Sequence, residues 1–192
     1  MKTNLSSQIK LDRIPRRYYD PQGEIELAAL TREEKIYTRI FETATDGSEY
    51  IARQIAKVIN RNVESKGKCV VTFGSGVSTH SAYAELIRLH KAGEVSFDKV
   101  VFYSLSEFFP LIANGPSTLR KMKEVLLDHI DIRPENIHTF SPDVTKEDMF
   151  QRCKAYEKAI EDDGGIDLAV CEIGAQGSLA FNEPGTPDTS LC

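Results

Sequence analysis

Short apolar, β-branched runs alternate along this chain with segments of helical spacing, and that alternation restricts the fold more than any other feature. Cys69-Val-Val-Thr-Phe73, bounded by Gly67 and Gly74, reads as the first core strand. Val100 to Leu105 reads as a second, Ile137 to Phe140 as a short third, and Ile166 to Ile173 as a buried last strand. Between them, Ile51, Ile55, Val58 and Ile59 are spaced for one buried face of a helix that follows Asp46. Tyr83, Leu86, Ile87 and His90 mark a helix ending near Gly93, and Leu119, Met122, Leu126 and Ile130 mark one from about Ser117. Thr145-Lys-Glu-Asp148 caps a further helix reaching about Asp162. Such alternation builds βαβ units with right-handed crossovers. The expected fold is α/β: a Rossmann-like three-layer αβα sandwich with a mainly parallel sheet.

A length of 192 residues fits one such domain with an appendage. Residues 1–30, broken by Pro15 and Pro21, read as an extended N-terminal arm, and residues 31–192 as the α/β domain. Thr31-Arg-Glu-Glu34 has the capping-box pattern of a short helix carrying Ile36, Ile40 and Phe41. A net charge of −5 argues against bulk attraction to nucleic acid or to an anionic membrane. No apolar run approaches the roughly 18 residues of a membrane span, and the polar N-terminus lacks a signal-peptide core. The cytoplasm is the expected location. Cys69, Cys153, Cys171 and Cys192 contain no Cys-x-x-Cys pair, and Cys69 and Cys171 read as small core hydrophobes. His80, His90, His129 and His138 have no metal-ligand spacing; no metal or cofactor is expected. His80 is set apart by following a glycine-containing turn.

Ligands of parallel α/β sheets bind at the carboxyl ends of strands, so the loops there carry the candidate site. Gly74-Ser-Gly-Val-Ser-Thr79 is either an anion cradle, with Ser75, Gly76 and Ser78 contacting a phosphate, or a tight turn with an N-cap serine. It lacks both the dinucleotide fingerprint and the Walker ending. After the second strand, Ser106 and Glu107 point to opposite faces if strand geometry continues, leaving Glu107 as a site carboxylate or a solvated charge. From Gly165 to Gly185 the last strand runs into a glycine-punctuated loop that places Glu183 beside Pro184.

Gly-Ser-Gly-Val-Ser at 74–78, His90 to Phe97, His129 to Ile137 and Ala180-Phe-Asn-Glu-Pro-Gly185 together resemble the glucosamine-6-phosphate deaminase/isomerase family, over about residues 45–190. The arm resembles that of large relatives in which a deacetylase-like domain follows the deaminase-like one. The resemblance implies a sugar-phosphate ligand and conversion of glucosamine 6-phosphate to fructose 6-phosphate and ammonia. That reaction uses a carboxylate base beside C2 and an imidazole–carboxylate pair near the ring oxygen. The family's Asp-Glu-Tyr motif is here Ser106-Glu107-Phe108, and its Asp-Gly-His motif is Gln176-Gly177-Ser178. Glu183 alone keeps its identity. Family members continue beyond the position of Cys192 with further strands and basic phosphate-site residues, so the domain reads as incomplete at that end.

Two functional readings follow. In one, the chain acts on an amino-sugar phosphate, with Glu107 or Glu183 adapted as the base. In the other, it is a catalytically impaired sugar-phosphate-binding or regulatory module. A truncated product without independent function is a third. A homo-oligomer is the partner state that the resemblance suggests.

Overall fold

Strand β1 (Cys69–Phe73) forms where five consecutive apolar or β-branched residues can be buried on both faces, which a central parallel strand requires. The computed structural model describes residues 23–32, 38–110, 115–140, 144–183 and 185–186. β1 pairs in parallel with β2 (Val100–Tyr103) on one side and with β4 (Leu168–Val170) on the other, and β3 (Ile137–His138) extends the sheet beyond β2. The strand order is β3-β2-β1-β4, all parallel, as the alternating pattern predicts.

Successive side chains of a strand face opposite ways, and here they feed two separate cores. Cys69, Val71, Phe73, Val100 and Phe102 pack with Ile55 and Ile59 of α2 (Ala44–Lys66), Tyr83, Leu86 and Leu89 of α3 (His80–Lys91) and Met122 of α4 (Thr118–Val125). Val70, Val101 and Tyr103 face the other way, onto Tyr156, Ala159 and Ile160 of α5 (Met149–Asp162). Helices on both faces make the three-layer sandwich.

The helix ends obey local chemistry. α2 starts earlier than expected because Thr43, rather than Asp46, is its cap: Thr43 Oγ1 accepts from the Asp46 N–H at 3.1 Å and donates to the Asp46 carboxylate at 2.7 Å. The buried stripe runs through Ala52, Ile55, Ala56 and Ile59, and Ile51 is 42% exposed. α3 ends where Gly93, at φ 76°, lets the Glu94 N–H reach back to Leu89 O at 3.0 Å.

Three expectations are corrected. The extended arm lies mostly outside the described residues, but its described end is a helix, α1 (Glu24–Thr31), whose first turn carries Glu24 and Glu26 at the positive end of the helix dipole. Thr31 therefore closes a helix, and residues 33–37, where the capping-box helix is expected to begin, lie outside the described residues. Ile40 and Phe41 lie in irregular backbone, with Ile40 half exposed and no buried stripe to join; Ile36 lies outside the described residues. Finally, β4 is shorter and less buried than a core strand: it holds the sheet edge among the described strands, and Ile173 is 80% exposed. The chain divides into two compact units, residues 1–47 and 48–192. Among the described residues no helix is long and apolar enough to cross a membrane.

Candidate functional site

The chain's direction across the sheet reverses at β1: β2 and β3 lie on one side of it and β4 on the other. The carboxyl ends of β1 and β4 therefore flank the topological switch point, the position where open α/β sheets bind ligands. The Gly74 N–H donates to Val170 O at 2.8 Å, tying the start of the β1 loop to the end of β4. Ser75, Gly76 and Ser78 all lie on this loop, and Ser78 falls within a single 3₁₀ turn (Val77–Thr79) that leads into α3.

A residue of β4's loop fills the inside of that turn. Glu172 Oε1 accepts the Gly76 N–H at 2.6 Å and the Thr79 hydroxyl at 3.1 Å. A β-carbon on Gly74 or Gly76 would collide with the same carboxylate, so both glycines are needed for this close approach. The Tyr83 hydroxyl donates to Gly74 O at 2.6 Å and braces the turn from beneath. Burial, with the Glu172 charge adding to it, holds Tyr83 protonated well above the ordinary tyrosine range. His80 opens α3, with Nε2 3.3 Å from Ser75 O.

At the end of β2, Glu107 is not a solvated charge but a hydrogen-bonded carboxylate. It is clamped onto the start of α4, accepting N–H bonds from Phe108 (2.9 Å), Thr118 (2.9 Å) and Leu119 (3.3 Å) and the Ser117 hydroxyl (2.8 Å). Partial burial works to raise its pKa, but these four donors favour the anion and the net shift is downward. The Ser106 carbonyl accepts hydroxyl bonds from Ser104 at 3.1 Å and from Thr118, so this segment too is fixed by its backbone.

The loop after β4 forms a tight hairpin. Ile173 pairs antiparallel with Leu179, and Leu179 and Asn182 exchange backbone bonds of 2.9 and 2.8 Å across a two-residue turn. Both turn residues, Ala180 (φ 52°) and Phe181 (φ 67°), have left-handed backbone that glycine or asparagine ordinarily supplies. The Phe181 ring lies 5.6 Å from that of Phe108, joining the hairpin to the β2 loop. Gln176 and Glu183 are exposed on this excursion and Ser178 is half-buried, its carbonyl accepting the Gly174 N–H at 2.8 Å.

Chemically, the described site offers hydroxyls, a primary amide, three carboxylates and backbone donors. Two of the carboxylates have fixed partners: Glu107 accepts through both oxygens and Glu172 through Oε1. Neither strand-associated thiol is primed as a nucleophile: burial pushes Cys69 up to about 11, and burial and Glu172 raise Cys171. Among the described residues no three His, Cys, Asp or Glu side chains group as a metal site. Reading the sequence missed Glu172. Its signal was a charged residue at the end of an otherwise apolar strand, but its partner lies 96 residues earlier.

A sequence profile for glucosamine-6-phosphate isomerases/6-phosphogluconolactonases matches residues 42–184. The chain is 44% identical over 187 residues to a glucosamine-6-phosphate deaminase-like protein of Bacteroides thetaiotaomicron, covering 97% of this chain and 28% of that one. It is 32% identical over 137 residues to a glucosamine-6-phosphate deaminase of Thermoanaerobacter sp., covering 71% of this chain and 53% of the relative. A solved monomeric glucosamine-6-phosphate deaminase superposes with a TM-score of 0.69 at 28% identity, over 78% of this chain and 60% of that structure. The chain thus spans between about a quarter and three-fifths of these proteins' lengths.

Proposed function

Because the chain belongs to the glucosamine-6-phosphate isomerase/6-phosphogluconolactonase family, we propose that it binds an amino-sugar phosphate in the crevice between the β1, β2 and β4 loops without catalysing deamination at an enzymatic rate. The observation that carries this reading is the neutrality of the proton-transfer positions. Ser106, Gln176 and Ser178 stand where the deaminase resemblance places a carboxylate base and a carboxylate–imidazole pair. Serine is a poor base at neutral pH without an activating partner, and an amide cannot take up and return a proton. Each lost acid or base removes about 10²–10⁴ in rate. Glu107 is no substitute, because its oxygens are committed to the start of α4.

The test is direct. The purified chain is incubated with glucosamine 6-phosphate while ammonia and fructose 6-phosphate are assayed, and binding of the same compound is followed by calorimetry up to millimolar concentrations. Binding without product above background is expected. Turnover of about 1 per second or faster, an ordinary enzymatic rate, would overturn the impaired-module reading. The competing reading, an active enzyme using Glu183, is favoured by the exposure of that carboxylate beside the hairpin. It requires that any turnover disappear in Glu183→Gln.

A further inference from the structure

The turn after β1 has the makings of an anion site: two glycines that let the backbone approach, a helix start, and hydroxyls within reach. In this chain an anion already occupies it, and that anion is covalently part of β4's loop. Glu172 Oε1 takes the Gly76 N–H and the Thr79 hydroxyl, and its carboxylate lies against both Gly74 and Gly76 where no β-carbon fits. We propose that Glu172 is an intramolecular competitor for phosphate: its carboxylate holds the place in the Gly74–Thr79 turn that a ligand's phosphate would take, and so sets the site against phosphorylated ligands.

The physical argument has two parts. Gly76 N–H is a single donor already used in a short charge-assisted bond, so a phosphate oxygen can have it only after Glu172 leaves. A phosphate that enters without displacing Glu172 would meet a like charge at close range, an arrangement that costs far more than surface repulsion. Tyr83 does not relieve this, because its hydroxyl is spent on the Gly74 carbonyl. The inference rests on the sugar-phosphate reading of the crevice and refines it: a sugar phosphate gains this subsite in the wild-type chain only by displacing Glu172, and so binds more weakly than it would without that carboxylate.

The test compares wild type with Glu172→Gln and Glu172→Ala, and with Glu135→Gln as an exposed carboxylate control on another loop. Each is titrated with inorganic phosphate and with glucosamine 6-phosphate by calorimetry, and thermal unfolding checks that each variant is folded. Removing the carboxylate is expected to tighten phosphate binding about tenfold or more, with the control unchanged. Equal affinity in wild type and the Glu172 variants, or weaker binding in the variants, overturns the proposal and marks Glu172 as a structural clamp. A gain for inorganic phosphate with no preference for glucosamine 6-phosphate supports the competitor role and sinks the amino-sugar reading. Strong, equal binding of the sugar phosphate by all proteins does the reverse. No binding by any of them sinks both. A measurement on wild type alone guards against variants that do not fold: the Gly76 amide resonance should stay fixed on adding millimolar inorganic phosphate. A saturable shift at submillimolar phosphate overturns the proposal.

Discussion

β1 and β4 are adjacent parallel strands drawn from similar residues, yet among the described strands one lies inside the sheet and the other at its edge. All five residues of β1 are buried, whereas β4 pairs over three residues, with Leu168 and Val170 half-buried and Ala169 exposed. The difference continues into the loops. The β1 loop is tied down by Tyr83, Thr79 and the β4 backbone. The β4 loop projects a hairpin with strained residues and bare apolar side chains, Ile173 at 80% and Phe181 at 62% exposure. A neighbour on both sides makes a strand pack tightly. β4, with one neighbour among the described strands, leaves its loop free to carry sequence that serves something other than folding.

The largest effect that tests this contrast is in the core. Phe102 of β2 is fully buried, its ring 6.2 Å from that of Phe73, and Phe102→Ala should cost about 3–5 kcal/mol of stability. Ile173→Ala, on the β4 side, should change stability by no more than about 0.5 kcal/mol. Denaturant unfolding of the two variants decides it; comparable losses would mean that the hairpin is part of the core after all.

The same contrast explains what the sequence made legible. The ends of β1 are legible because an apolar and β-branched run between two glycines has one stable use, those of α3 because its stripe and end signals are local, and α5 because its capping pattern is. The pattern predicts a last strand over Ile166 to Ile173, but only Leu168–Val170 join the sheet. The outer isoleucines are apolar without a partner element to bury them, and no local pattern reports that. At the site, the glycine loops and Glu183 were visible as motifs. The roles of Glu107 and Glu172 were not, since all but one of their donors lie 10 to 96 residues away and only the folded topology supplies them.

A second, smaller effect compares two carboxylates of the same crevice. Glu107→Ala removes the acceptor for three backbone N–H groups and the Ser117 hydroxyl, and should cost about 1–2 kcal/mol; Glu183→Ala should cost almost nothing. The pH dependence has a definite sign. Because the folded-state pKa of Glu107 lies below the ordinary value of about 4.3, its contribution is complete above that value and is lost as pH falls through the lowered one. Wild type should therefore lead Glu107→Ala by its full margin at neutral pH and lose that margin in acid. Acid and neutral denaturation curves of the pair measure this, and a margin that grows in acid would show that Glu107 is held by something other than its anion.

The smallest expected effect is a gain, and it comes from the β4 hairpin. Ala180 and Phe181 occupy left-handed backbone that opposes their β-carbons by about 1–2 kcal/mol per residue. Ala180→Gly removes one such conflict but adds freedom to the unfolded chain, worth roughly 0.5–1 kcal/mol in the other direction. The net should be stabilisation of under about 1 kcal/mol, a rise in Tm of about 2–4 °C at most for a domain of this size. Gly93→Ala, at φ 76° in the α3 cap, makes the opposite exchange and should lower Tm. If Ala180→Gly instead destabilises, the hairpin's shape is enforced by packing and not merely tolerated. The Phe108–Phe181 contact is then what holds the turn in place, tying the strained hairpin to the loop after β2.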